Sequence, residues 1–353
     1  MPFAKNPEIL EKKGRITVAF CVENPEISVI VPVYNVGEFV EKCISTLAEQ
    51  SIKVPYEILA VNDGSTDESL KILQNMEQKY SNVCILNQKN SGVSVARQNG
   101  LKQARGKYIC FVDGDDYVSR KYLEKLYQAC KKNDAQIACC SYDWHFVFSG
   151  FYLPYPFRAY HVMNTEKGLQ KLIRDYQIQS FWWSKMIEKS VIIASHVTFP
   201  KMCFEDLAVL HRVFACADKV VLIPNGLYYY NVHTESTLGT MNPQKICDYI
   251  RAVAMVREGL MQKGLYHGKY RSAHNALASK SLSCCQWNVM KMHIETHHLK
   301  GAMINLHRVH LLMKQVTADK FNPNTFYENL SGEILTSSGR KEADDTICSG
   351  GIK

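Results

Sequence analysis

Asp113-Gly114-Asp115-Asp116 sets three carboxylates around one glycine, directly after the apolar run 107–112. Carboxylates packed so closely repel one another and need a counter-charge. A divalent cation supplies it, because Mg²⁺ or Mn²⁺ takes a few carboxylate oxygens and completes its shell with substrate phosphates. An ordinary acidic turn with solvated side chains is the competing reading of the same residues. Three more polar clusters follow apolar runs in this way: Pro32-Val33-Tyr34-Asn35, Asn62-Asp63-Gly64-Ser65 and residues 87–91. Asp63 could serve its own turn. Asp67 with Ser65 or Thr66 suffices to cap the next helix, which leaves Asp63 to accept a hydrogen bond from a base imide N–H or a ribose hydroxyl. Arg97 stands among Val93, Val95 and Ala96, and an arginine there needs a partner.

The elements that must position these residues alternate. β-Branched runs at 27–33, 56–61, 83–86 and 107–112 are separated by amphipathic stretches at 37–50, 67–79 and 91–103, and a further helix is expected over 120–132. That pattern predicts an α/β fold, Rossmann-like, with a mostly parallel sheet and helices on both faces. Ligands of such sheets sit outside the carboxyl ends of the strands, where all four clusters fall. A fifth strand is expected over 135–141, and the aromatic stretch 142–160 has no clear period. A helix over 165–175, the segment 181–188 and a helix after Phe204 follow. A strand at 219–223, the turn Pro224-Asn225-Gly226 and the aromatic run 227–230 close the domain. From 242 to about 316 the pattern is helical throughout. The expected organisation is an N-terminal extension (1–25), a catalytic α/β domain (26–240), a helical C-terminal region (241–317) and a flexible tail (318–353).

With 353 residues and 46% apolar content, the chain can bury a core for one large domain or two ordinary ones. No apolar run approaches the ~18 to 20 residues that cross a bilayer, and the N-terminus lacks a signal pattern, so a cytoplasmic protein is expected. A net charge of +8 suits anionic nucleotides, phospholipid headgroups or charged polymers. Nothing reads as a nucleic-acid module. The thirteen cysteines, without CxxC spacing, read as reduced structural thiols. Residues 291–316 carry Ile304, Val309, Leu312 and Val316 at helical spacing among Lys300, His307, Arg308 and Lys314. Such a helix packs on the catalytic domain or on another copy of the chain, giving a homo-oligomer, or else lies peripherally on the inner membrane surface.

Residues 27–116 resemble family 2 glycosyltransferases of the GT-A fold. The motifs that carry the resemblance are Ile30-Val31-Pro32-Val33-Tyr34-Asn35, Val61-Asn62-Asp63-Gly64-Ser65-Thr66-Asp67, Asn90-Ser91-Gly92-Val93-Ser94-Val95-Ala96-Arg97 and Phe111-Val112-Asp113-Gly114-Asp115-Asp116. It continues more weakly through Trp183-Ser184-Lys185, Phe204-Glu205-Asp206-Leu207 and Tyr228-Tyr229-Tyr230, and ends near Thr240. The resemblance implies that Pro32, Tyr34, Asp63, Asn90 and Arg97 hold the nucleoside, with Asp63, Asn90 and Arg97 near the base. Asp113 would face the ribose and Asp115 the Mn²⁺ or Mg²⁺ that bridges the diphosphate. It places the general base in Glu205-Asp206, at Asp206 with Glu205 as the other candidate. A helix-start acid stabilised by the macrodipole is the plain alternative. Lys185 and Trp183 would touch diphosphate or acceptor. His233, after the aromatic run, could complete the metal or diphosphate shell.

What the resemblance implies is an inverting transfer of a sugar, from a nucleotide-diphosphate donor with UDP as the expected nucleotide, to a hydroxyl acceptor. The acceptor would be a glycan, a lipid-linked or a polymeric molecule, in surface polysaccharide or glycoconjugate synthesis. Processive relatives carry Gln-x-x-Arg-Trp, whereas Gln286-Trp287 lacks the arginine, which implies one transfer per encounter. A non-catalytic nucleotide-sugar or polymer-binding scaffold is the alternative from another class, disfavoured by the presence of both Asp115 and Asp206. A nucleotidyltransferase would need a glycine-rich basic loop after the first strand, and Pro32-Val33-Tyr34-Asn35 is not one.

Overall fold

The computed structural model describes residues 22–156, 158–233, 240–295 and 299–332, so most of the expected N-terminal extension and the end of the chain lie outside the described residues. Its elements begin β1 (Ile27–Val33), α1 (Gly37–Ala48), β2 (Tyr56–Asn62), α2 (Ser69–Lys79), β3 (Val83–Asn87), α3 (Val93–Gln103), β4 (Tyr108–Phe111), β5 (Tyr117–Val118) and α4 (Tyr122–Asn133). There follow β6 (Ile137–Phe146), β7 (Phe151–Pro154), β8 (His161–Asn164), α5 (Thr165–Ile173), β9 (Lys185–Glu188), α6 (Lys189–Ala194), α7 (Glu205–Phe214) and β10 (Lys219–Val232). Helices α8 (Pro243–Gln262), α9 (Gly268–Glu295), α10 (Leu299–Thr317) and α11 (Pro323–Gly332) are the last elements among the described residues. Two compact units result, Met1–Lys201 with Val209–His233 and Met202–Ala208 with Thr234–Lys353.

In the first unit the strands run in the order β3-β2-β1-β4-β9-β6-β10-β5, with β7 on β6 and β8 on β10. All of β1 is buried, without alternation, as a strand covered on both faces must be. Helix α1 buries Val40, Cys43, Ile44 and Leu47, one apolar stripe at helical spacing. The sheet is parallel through β3, β2, β1 and β4. Beyond that it is mixed rather than mostly parallel, because β9 inserts antiparallel between β4 and β6.

Two local readings change. Helix α2 starts at Ser69, and Asp67 caps two helices at once, since Oδ1 accepts from Ser69 N–H at 3.0 Å and Oδ2 from Gly37 N–H at 2.9 Å. Burial pushes the Asp67 carboxyl up, but the bonds from Ser69 and Gly37 outweigh it and hold the pKa below the ordinary value. Pro224-Asn225-Gly226 is no turn between strands; it is a bulge inside β10, where the register with β6 jumps between Leu222 and Gly226. Proline cannot donate to a ladder, so the strand buckles there and resumes. The aromatic stretch after Tyr142 resolves into the end of β6 and its antiparallel partner β7. Cys84 is disulfide-bonded, against the expectation of reduced thiols throughout.

The second unit is helical among its described residues. Arg257 of α8 is 2% exposed, donates to the Val316 carbonyl at 2.6 Å and lies over the rings of Tyr266 and Phe321. Val309, Leu312 and Val316 of α10 are buried, while Ile304 is 46% exposed. Residues 323–332, expected in a flexible tail, form α11 and bury Phe326 and Leu330. Asn322 accepts from Asn324 N–H at 3.0 Å and Pro323 opens the helix, the signals that start a helix in any context.

Candidate active site

Parallel strands that leave in opposite directions open a crevice at their carboxyl ends, and β1 and β4 are such a pair. β1 ends in buried Pro32 and exposed Tyr34, and the turn after β4 carries the four-residue acidic motif. The two loops touch so closely that a side chain on Gly114 would lie 2.8 Å from the Pro32 carbonyl oxygen. At the end of β2, Gly64 has φ +70°, and an added Cβ would meet the Asn90 nitrogen at 2.7 Å. Both positions require glycine, so the loops close over one another.

The three carboxylates after β4 meet different fates. Asp113 Oδ1 accepts from Arg97 Nη2 at 2.6 Å. Burial raises the Asp113 carboxyl above its ordinary value even against the pull of Arg97. Asp116 is 1% exposed and bonded through both oxygens: the Tyr228 hydroxyl donates to Oδ2 at 2.6 Å and the Asn231 N–H to Oδ1 at 2.8 Å. Burial, then Asp115 and Asp113, drive its pKa well up. Asp113 keeps 27% of its side chain exposed, and Asp115 alone of the three faces both solvent and an imidazole. Its side chain is 30% exposed, and Oδ2 lies 3.0 Å from His233 Nε2, whose ring stacks on Phe39. Repulsion among three acids is thus relieved by an arginine for one and by neutral donors for another. The counter-charge need falls on Asp115.

Asp63 is not free, contrary to the sequence reading. Oδ1 accepts from Ser91 N–H at 2.8 Å and Gln88 Nε2 at 2.7 Å, and Oδ2 from Gly92 N–H at 2.8 Å. A carboxylate offers about four acceptor positions, so room for roughly one further donor is left. Its first role is to hold the loop that ends in exposed Asn90. Arg97, expected near a base with Asp63 and Asn90, donates from Nη2 to Asp113 Oδ1.

Lys185 and Trp183 are drawn inward, away from the place expected for contacts to diphosphate or acceptor. Lys185 is 1% exposed in β9, and its ammonium donates to the carbonyls of Phe181 at 2.7 Å and Trp183 at 3.3 Å. Trp183 is 4% exposed and stacks on Phe181 and Tyr228. A buried ammonium is tolerable only with such acceptors.

Glu205 and Asp206 open α7. Glu205 is 6% exposed, and Asp206 Oδ1 accepts from Leu207 N–H at 2.7 Å. Phe204 just before them has φ +60°, a left-handed conformation that costs a bulky residue about 1–2 kcal/mol. Two contacts hold it: its ring stacks on Tyr249, and the neighbouring Cys203 N–H donates to Asp248 at 3.0 Å.

Sequence reasoning missed Tyr228 and Asn231. Besides bonding Asp116, the Tyr228 hydroxyl accepts from Asp113 N–H at 3.2 Å, and Asn231 Nδ2 donates to the Asp115 carbonyl. The available signal was the spacing of Asn231 and His233, two polar residues on one face at the end of an aromatic strand.

Residues 28–190 match the profile of Glycosyl transferase family 2. The chain is 31% identical over 216 residues to the uncharacterized glycosyltransferase EpsJ of Bacillus subtilis, covering 60% of this chain and 62% of that protein's own length. It is 30% identical over 224 residues to glycosyltransferase GlyG of Streptococcus pneumoniae, covering 61% of this chain and 73% of the relative. In fold it resembles S. aureus TarS 1–349 in complex with UDP-GlcNAc, with a TM-score of 0.65 at 17% identity over 88% of this chain and 85% of that one. With the acidic turn lying inside the matched span, the chain belongs to glycosyltransferase family 2.

Proposed function

We propose that the chain is an inverting, non-processive glycosyltransferase that moves one sugar from a UDP-sugar to a hydroxyl of a glycan, lipid-linked or polymeric acceptor in surface polysaccharide or glycoconjugate synthesis. The unequal fates of Asp113, Asp115 and Asp116 carry this reading, because Asp115, partly exposed, is the one of the three that faces an imidazole rather than an arginine or neutral donors, where sheets of this topology bind ligands. Support for UDP comes from the TarS neighbour and its UDP-GlcNAc complex.

Asp115 and His233 fit a divalent cation that borrows the rest of its shell. Neighbouring ligands on an octahedral ion with bonds of ~2.1 Å lie about 3 Å apart, and Oδ2 and Nε2 are 3.0 Å apart. Among the described residues no third acid, histidine or cysteine joins them, so substrate phosphates and water would complete the set. Bound there, Mn²⁺ or Mg²⁺ would neutralise the charge that develops on the leaving diphosphate. Asp113, with Oδ1 held by Arg97, turns its other oxygen to a ribose hydroxyl. Tyr34 and Asn90, both exposed, contact the nucleoside. Asp206 takes the acceptor proton as the hydroxyl attacks, since a carboxylate suffices when acidity develops only as the bond forms. The strained Phe204 that sets the start of α7 supports a functional rather than a capping role for it.

Calorimetric titration of UDP with and without Mn²⁺ tests the reading. Binding to the parent is expected to tighten at least ~10-fold with Mn²⁺, and Asp115→Asn is expected to lose that gain and all transfer. Equal UDP affinity with and without the metal, or full transfer by Asp115→Asn, would sink the assignment.

A further inference from the structure

Asn231 sits at the end of β10 with 3% exposure, and each of its polar groups is engaged. Its N–H donates to Asp116 Oδ1 at 2.8 Å, its Nδ2 to the Asp115 carbonyl, and its Oδ1 lies 2.6 Å from His145 Nδ1. The Asp115 carbonyl can only accept, which settles the orientation of the amide: Nδ2 faces Asp115 and Oδ1 faces His145. An amide oxygen can only accept as well, so His145 carries a proton on Nδ1 and donates it. His145 in turn is held by rings, stacked on Tyr152 of β7 at 4.4 Å and edge-on to Tyr117 of β5 at 5.7 Å.

We propose that Asn231 is a positioning residue for the cation pair Asp115 and His233, and that His145 sets the Asn231 amide that does the positioning. The inference rests on the metal-dependent reading given above. The Asp115–Asp116 peptide is planar, and the bond from Asp116 N–H to the Asp113 carbonyl at 3.1 Å holds its nitrogen side, which leaves the Asp115 carbonyl on its other side for a second tie. Asn231 Nδ2 ties it. His233 follows two positions later, just past the end of β10, so the strand end that carries the second ligand also carries the side chain that ties the backbone of the first. Neither Asn231 nor His145 needs to touch substrate to act this way. Outer-shell partners of this kind change metal affinity or activity by about 10- to 100-fold.

The test uses the full chain and four variants, with Mn²⁺ uptake in the presence of UDP followed by electron paramagnetic resonance alongside kcat, KM and Tm. Asn231→Ala is expected to weaken Mn²⁺ uptake and to lower kcat by about 10- to 100-fold each, while UDP binding without metal stays at the parental value. Asn231→Asp cannot donate to the Asp115 carbonyl and is expected to fail likewise. His145→Phe keeps a ring but loses the donor, and should weaken Mn²⁺ uptake in the same direction. His145→Asn places an amide N–H where Nδ1–H stood and should recover to within about threefold of the parent. That recovery is the readout a merely structural role would not show, and it decides the matter even if the Asn231 variants do not fold. Parental Mn²⁺ uptake in a folded Asn231→Ala, or a His145→Asn no better than His145→Phe, overturns the proposal. A parent that takes up no Mn²⁺ with UDP overturns the metal reading itself, a result distinct from both.

Discussion

In the sheet unit Tyr34 after β1 and Asp113 and Asp115 after β4 keep part of their bonding capacity toward solvent while Asp63 and Asp116 are buried, whereas in the helical unit Arg257, His274 and Asp248 are all sealed. Asp115 remains 30% exposed beside His233. Asp248, 5% exposed, is spent on Cys203 N–H and Gln244 Nε2. His274, fully buried, is bracketed by the Val253 carbonyl at 3.0 Å and the Tyr266 hydroxyl at 3.2 Å. Burial makes a polar group costly unless it is bonded, so sealed groups specify packing. Strand-end groups with spare capacity are the ones that can meet a ligand. Asp206 stands between these conditions, partly exposed yet bonded at a helix start, and is therefore the sharpest place to break the comparison.

After Asp115→Asn, the largest effect on transfer is expected from Asp206→Asn. If it accepts the proton of the attacking hydroxyl, transfer falls by about 10² to 10⁴ while UDP affinity stays near the parent's. Stability should hardly change, since an amide oxygen still accepts at a helix start. A well-folded variant with near-normal transfer would move the base to Glu205, and the two amides made separately distinguish the acids.

Asp63→Ala comes next. The side chain holds Ser91, Gly92 and Gln88 and so shapes the loop that carries Asn90. Losing a buried acceptor with three donors is expected to cost about 1–3 kcal/mol of stability, and UDP affinity should drop by roughly 10-fold or more as the loop loosens. Unchanged Tm together with unchanged UDP affinity would show that the loop holds its shape without this carboxylate.

The boundary between what the sequence shows and what it hides follows contact distance along the chain. β1 to β4 are legible because each is a short apolar run with turn residues after it, and their polar ends are adjacent in sequence to the strands that carry them. Asp115 is legible for the same reason. His233 is legible only as a candidate for the same shell, and Asn231 and Tyr228 are not legible, because all three lie more than 110 residues downstream and their register depends on the bulge at Pro224. A partner for Arg97 was foreseeable from its apolar neighbours; that the partner is Asp113 needed the packing of α3 on β1 and β2, with β4 beside β1. Lys185 misleads because a charged residue in a four-residue strand reads as exposed, and only the inserted, antiparallel position of β9 makes it core.

The smallest effect on transfer is expected at His274, where the comparison predicts none at all. His274 Nε2 donates to the Val253 carbonyl, and Nδ1 accepts from the Tyr266 hydroxyl. The neutral ring therefore satisfies both neighbours, and a second proton would sit in a dry site beside Arg257. Burial is the main cause that lowers the pKa from 6.5 to about 4, with Arg257 adding to it against the bond to Val253. The sign follows from linkage: between these values the unfolded chain binds the proton and the folded chain does not, so stability rises with pH. The contribution is complete above about pH 6.5 and is lost as pH falls toward 4, by roughly 3 kcal/mol. Glutamine can donate to one neighbour and accept from the other without titrating, so His274→Gln should flatten that part of the acid limb in chemical denaturation between pH 6.5 and 4. Transfer at neutral pH should match the parent's. An unflattened acid limb would place the titrating group elsewhere, and a loss of transfer in the folded variant would break the division between sealed and open polar groups.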